Sequence, residues 1–196
     1  MILKNRRSIR LKEYDYSEPG EYFVTICTEG RSHLFGYIDS DAMHENELGK
    51  VVRICWQEMP EHYPHVELDE FVVMPNHVHG IVLISGDDTV GAIHESPLPR
   101  NTADRRRMTL SKIVGRFKMN SAKRINQLRG SPGIRVWQRN YFEHIIRDDK
   151  SLDRIREYIA SNPEQWHHDK ENTQQEARDK FDEWLSTAGM QPITRR

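Results

Sequence analysis

Two histidines, His77 and His79, stand either side of Val78 in the apolar run FVVMPNHVHGIVLI at residues 71–84. On a strand, side chains two residues apart share a face, so both imidazoles point one way and Val78 the other. Two neutral imidazoles side by side can chelate one divalent cation; the plainer alternative is a pair of histidines on a half-exposed strand. Two ligands do not make a site, so a third has to come from elsewhere in the chain. The stretch EYIASN offers Tyr158 and Asn162, four residues apart and therefore neighbours on one helical face, partly exposed at the border of its apolar stripe. An amide oxygen can bind a metal, and a phenol can attack what the metal holds. The alternative is a packed tyrosine and a helix-ending asparagine before Pro163. Tyr141 competes for the nucleophile role but has no ligand-type residue four places on, and His144 is an auxiliary candidate.

The chain that carries these residues has 196 residues, close to one domain, with 36% hydrophobic residues, enough for one ordinary core. No apolar run reaches membrane length and no signal peptide opens the sequence, so a soluble cytoplasmic protein without membrane partners is expected. Cys27 and Cys55 lie in apolar settings and read as buried thiols, and the absence of any CxxC pair argues against a thiolate zinc site. The net charge is −1, yet it is unevenly spread: Pro97 to Arg156 holds 16 Lys or Arg against 5 Asp or Glu. Such a bias suggests a face for a polyanion; a solvated charged surface is the alternative.

The elements that must position the candidates follow from periodicity. GEYFVTICTEG reads as a strand, with RSHLFGYID as a second arm, and residues 41–64 as a helix with Met43, Leu48, Val51, Val52, Ile54, Cys55 and Met59 on its apolar side, ended by Pro60 and Pro64. VELDEFVVM and HVHGIVLI form a hairpin through the Pro75–Asn76 turn. Residues 85–107 are a loop by composition. Residues 108–130 read as a helix whose Leu110, Ile113, Val114, Phe117, Ile125 and Leu128 face the core, with Gly130 as its C-terminal cap. At about 100° per residue, Lys112, Arg116 and Lys123 fall on one side of that helix as a basic stripe. VWQRNYFEHIIR is a further strand, and SLDRIREYIASN a further helix, with Leu152, Ile155 and Ile159 as its stripe. The order β-α-β-β-α-β-α predicts a ferredoxin-like α+β sandwich, an antiparallel sheet with helices on one face and the other face available to host a site. One domain over residues 1–166 and a polar tail over 167–196 are expected, the tail either holding one short helix around Phe181 and Trp184 or partly disordered.

In combination, the HxH strand and the helical tyrosine resemble the single-tyrosine HUH transposases, and more closely their REP-associated tyrosine transposase branch. The stretches RRSIRLKEYDYSEPGEYFVTICT, ELDEFVVMPNHVHGIVLI, GRFKMNSAKRINQ and VWQRNYFEHIIRDDKSLDRIREYIASNPEQW carry the resemblance, in order, from about residue 6 to residue 166. The resemblance implies an HUH endonuclease-type fold and cleavage of single-stranded or hairpin DNA by Tyr158, giving a 5′-phosphotyrosine and a free 3′-hydroxyl. It implies a divalent ion, Mg2+ or Mn2+, on His77, His79 and Asn162, the last replacing the glutamine of insertion-sequence relatives, and a monomer or homodimer. A phenol with a pKa of ~10 is a weak nucleophile at neutral pH, which fits a need for an activated phosphate. DNA contact would fall to Lys112, Arg116 and Lys123, to Arg105, Arg106 and Arg107 in the loop, and to Arg6, Arg7 and Arg10 near the N-terminus; Trp137, Tyr141 and Phe142 are candidates for stacking on bases. Two alternatives stay open: a catalytically silent repeat-DNA-binding module of the same fold, and a hydrolase using water with Asp69 or Glu70 as base.

Overall fold

The computed structural model describes residues 20–85 and 109–173, together with Phe181 and Trp184. Four strands form its main sheet: β1 (Gly20–Cys27), β4 (Val66–Met74), β5 (His77–Ile84) and β6 (Phe142–Ile146), in the order β4-β5-β1-β6. Every pairing is antiparallel. With α1 (Glu47–Gln57) between β1 and β4, and α3 (Thr109–Leu128) between β5 and β6, this is the expected ferredoxin-like α+β arrangement.

Strand alternation divides the sheet cleanly. Tyr22, Val24, Ile26, Val78 and Val82 point to one side and bury against Val52, Cys55 and Trp56 of α1 and Ile113, Val114 and Phe117 of α3. Phe23 and Ile81 point to the other side, where the last regular helix, α4 (Asp149–Ser161), lays down Leu152, Ile155, Tyr158 and Ile159. The face expected to remain available for a site is therefore roofed by α4 and by Phe181. Asp148 caps α4, accepting from Ser151 N at 2.9 Å. A bulge between Leu68 and Phe71 interrupts β4 at Asp69, and the Asp69 carboxylate takes the Arg156 guanidinium of α4 at 2.6 Å, tying the helix to the sheet.

Three local expectations fail. Residues 41–45 are not helical: β2 (Gly36–Asp39) and β3 (Ala42–Glu45) form a separate hairpin, joined by Ser40 and Asp41 at φ 50° and 61°. Two positive φ angles make the two-residue turn that matches strand twist, but Ser-Asp lacks the glycine that usually announces it. Met43 thus belongs to β3, and α1 starts after Asn46, whose Oδ1 accepts from Leu48 N and Gly49 N. Ile54, set on the apolar side of that helix, is 46% exposed. α1 does stop at Gln57, ahead of Pro60, which then lies in the first turn of the short α2 (Met59–His62), where its missing N–H costs nothing. Leu128, assigned to the core, is 61% exposed on the last turn of α3. Gly130, at φ 62°, does occupy the left-handed position expected of a cap. Both cysteines are buried and neither forms a disulfide. Among the described residues no helix is long and apolar enough to cross a membrane.

Candidate metal and nucleophile site

β5 is an interior strand, flanked by β4 and β1, so its side chains rise from the middle of the sheet. His77 lies opposite Cys27 and Met74, and His79 opposite Thr25 and Val72. Both imidazoles point to the α4 side and are fully buried. Phe23 stacks on His79 at 5.4 Å between ring centroids, and Trp166 lies against His77 at 6.1 Å. The two Nε2 atoms converge to 2.9 Å. Each Nδ1 has its own partner on the sheet side: Asn76 Oδ1 for His77 at 2.8 Å and Thr25 Oγ1 for His79 at 2.9 Å.

Tyr158 and Asn162 arrive from α4 and its C-terminal cap, one turn apart. Tyr158 Oη is 3.3 Å from His79 Nε2. Neither residue sits partly exposed at a helix border as its place on the helix suggests: Tyr158 is 6% and Asn162 1% exposed. The reason is the chain beyond the helix. It turns through a short 3-10 segment, Trp166–His168, and returns across the histidines. Phe181 stacks on the Tyr158 ring at 3.8 Å and 7°.

That return delivers the residue which the sequence reading missed. Asp169 is buried, with Oδ2 at 3.6 Å from Nε2 of both His77 and His79. Its Oδ1 accepts from Glu171 N at 2.6 Å, and its Oδ2 accepts from Asn162 Nδ2 at 2.9 Å. His77, His79 and Asp169 are the group whose ligand atoms all lie within 4.8 Å of one another among the described residues. Asn162 enters this group through its bond to Asp169, while its Oδ1 is buried with no hydrogen-bond partner among the described residues. A donor set of two imidazole nitrogens and a carboxylate, with an orphaned amide oxygen alongside, fits a divalent ion with mixed nitrogen and oxygen preference. Nothing local in WHHDKEN distinguishes Asp169 from the other acids of a polar tail; only the return of the chain onto the sheet does.

The electrostatics are those of a buried site. Burial lowers the His77 pKa to about 3, more than Asp169 opposes it, so the ring is neutral and offers a lone pair. Burial also favours the protonated form of Asp169, but the two imidazoles and the Glu171 N–H together outweigh it and hold the carboxyl well below the usual carboxylate range. Glu171 is itself buried, accepts from Cys27 Sγ at 3.2 Å and pairs with Arg31 at 2.9 Å.

The remaining candidates are dispersed. Asp69, considered as a hydrolytic base, is engaged by Arg156, and the carboxylate beside the histidines is Asp169 instead. Tyr141 precedes β6 rather than lying within it, packs on the α1–α3 side of the sheet and meets Ser111 Oγ at 3.3 Å. Trp137 and Phe142 are core-packing residues, in separate clusters. Lys112, Arg116 and Lys123 are exposed along α3, on the sheet face opposite the histidines. Arg6, Arg7, Arg10, Arg105, Arg106 and Arg107 lie outside the described residues.

No family model matches the chain. It is similar to an uncharacterized protein of Haemophilus influenzae, 43% identical over 175 residues, which span 85% of this chain and 93% of that one. It is also 33% identical over 151 residues to a Haemophilus influenzae protein assigned to the REP-associated tyrosine transposases, spanning 76% of this chain and 73% of the relative. Among solved structures its fold is similar to that of a REP-associated tyrosine transposase bound to a REP hairpin, with a TM-score of 0.52 at 19% identity over 100% of this chain and 92% of that one.

Proposed function

Because the chain belongs to the REP-associated tyrosine transposase family, we propose that it is a metal-dependent nuclease and strand transferase acting on single-stranded DNA that folds into hairpins. One observation carries this reading: the Tyr158 hydroxyl stands 3.3 Å from His79 Nε2, beside the buried group His77, His79 and Asp169. Tyr158 is the nucleophile. Its oxygen forms a bond to phosphorus as the bond to the 3′-oxygen breaks, leaving a 5′-phosphotyrosine and a free 3′-hydroxyl. The phosphodiester is conserved in the tyrosyl link, so a second 3′-hydroxyl can reverse the step without a nucleotide cofactor. His77, His79 and Asp169 hold the divalent ion, Mn2+ or Mg2+, which when bound polarises a non-bridging oxygen of the scissile phosphate. Asn162 orients Asp169 through Nδ2 and contributes Oδ1 as a further oxygen donor. The exposed stripe of Lys112, Arg116 and Lys123 holds the hairpin stem by its phosphates, aided by Arg6, Arg7, Arg10 and Arg105, Arg106 and Arg107. The relative solved with a REP hairpin supports that choice of substrate.

The test is a labelled single-stranded hairpin oligonucleotide, incubated with the protein and Mn2+ and run on a denaturing gel. A covalent adduct is expected, lost in Tyr158→Phe and retained in Tyr141→Phe; the reverse pattern would sink the assignment. The silent binding module is the second reading, and one feature favours it: the Phe181 ring lies flat on Tyr158 and leaves the phenol almost wholly covered. Tight hairpin binding with no adduct at any Mn2+ concentration would select it.

A further inference from the structure

Two Nε2 atoms 2.9 Å apart cannot turn bare lone pairs on each other, so a proton or a cation must lie between His77 and His79. Which ring holds that proton is decided behind the rings, where the two histidines have unlike partners. The Asn76 amide reaches the carbonyls of Glu171 at 2.8 Å and Arg31 at 3.3 Å, and only its nitrogen can donate to them. The atom 2.8 Å from His77 Nδ1 is then Oδ1, which only accepts, so His77 carries its proton on Nδ1. In the neutral ring Nε2 is left as a lone pair. His79 Nδ1 meets instead the Thr25 hydroxyl at 2.9 Å, a group that donates or accepts by rotating about one bond. Thr25 is fully buried and its hydroxyl has no other hydrogen-bond partner among the described residues, so nothing else holds it to one role.

We infer that Asn76 and Thr25 are positioning residues with different tasks. Asn76 locks His77 in the tautomer that presents Nε2 as a ligand. Thr25 is a swivel that lets His79 exchange tautomers, bearing Nε2–H when a proton bridges the rings and Nδ1–H when a cation takes that place. In the exchange one proton leaves His79 Nε2 and one is taken up at Nδ1, so the ring charge is unchanged, and the Thr25 hydroxyl turns from donor to acceptor. A single buried hydroxyl thereby serves both forms of the site without leaving an unsatisfied ring nitrogen, which would cost more than the bond itself contributes. The inference rests on reading the group as a divalent-metal site.

Long-range proton–nitrogen correlation spectra of chelator-treated protein with 15N-labelled histidine read the tautomers directly. His77 is expected as Nδ1–H and His79 as Nε2–H; a proton on His77 Nε2 would overturn the role of Asn76. Adding Zn2+, a diamagnetic probe, is expected to move His79 to Nδ1–H, and an unchanged His79 in the metal-loaded protein would overturn the swivel. Thr25→Val keeps the shape and removes the hydroxyl. Its Mn2+ affinity, from electron paramagnetic titration, is expected to fall about 10- to 100-fold, with Thr25→Ser back to within about threefold of the parent. Parent-like Mn2+ binding by Thr25→Val would refute the proposal. If the parent protein itself binds neither ion, the metal reading fails and the swivel with it, while the His77 assignment is still decided by the chelator-treated spectrum.

Discussion

Asp169 and His77 show how much a single residue's meaning depends on what surrounds it. The carboxylate completes the candidate ligand group only because Asn162 Nδ2 and Glu171 N hold its two oxygens. Asp169→Asn keeps the shape but removes the charge, and Mn2+ affinity by calorimetry is expected to drop at least about tenfold with the fold intact by circular dichroism. Parent-like binding would remove Asp169 from the ligand set. The buried histidines also set a pH dependence. Burial pushes His77 down to about 3 and His144, also beside Arg147, down to about 4. In the unfolded chain both protonate near the ordinary ~6.5. Between those values the unfolded state binds more protons, so their contribution to stability is complete above about pH 6.5 and is lost as pH falls. Chelator-treated protein is expected to melt at progressively lower temperature from pH 7 to pH 5. His144→Phe should flatten part of that slope, and a variant with the parent's slope would show that His144 is already accessible to protons.

At the scale of elements, one glycine of β5 makes room for a large side chain of α1. The Trp56 ring lies over Gly80 of β5 and stacks on Phe71 at 4.5 Å. A Cβ at residue 80 would meet that buried ring, which also packs edge-to-face with Phe117 at 5.4 Å. Gly80→Ala is therefore expected to destabilise the protein by about 1–3 kcal/mol in denaturant melts, the usual cost of overpacking. A neutral or stabilising result would mean that α1 can shift without loss. Gly80 lies directly after His79, so a displaced β5 would also be felt at the site. The segment between β1 and β2 fastens the turn between β4 and β5: Thr28 N donates to Asn76 O at 2.8 Å and Phe35 N to Pro75 O at 3.0 Å.

Across the whole molecule, the basic helix face and the site face are opposite sides of one sheet. On the proposed function, a folded stem and the strand to be cut would thus be held apart, the stem by charge and the strand at the candidate metal group and Tyr158. Replacing Lys112, Arg116 and Lys123 together by Ala is expected to weaken hairpin binding and to reduce the slope of log K against log salt by roughly 2 to 3, at about 0.7–0.9 per phosphate contact. An unchanged slope would move the stem to another surface. The Tyr158 adduct yield at saturating DNA should survive this change, since none of the three residues touches the site.

Much of this was legible before any coordinates. Strand periodicity set β4 and β5 to the residue and put His77 and His79 on one face, because alternation is a local property of the backbone. The helical spacing of Tyr158 and Asn162, the amphipathic stripe of α3 and the βαββαβ order are local or nearly so, and the motifs pointed to the family from residues alone. The tertiary structure decided what no local pattern carries. Asp169 becomes a neighbour of histidines about ninety residues earlier only because the chain turns back after α4. The burial of Tyr158, the unlike partners of the two imidazoles and the hairpin at Ser40–Asp41 likewise depend on long-range packing or on a turn without its usual glycine. The alternation of a strand is set residue by residue, whereas a ligand set is assembled by segments whose separation along the chain says nothing of their distance in space.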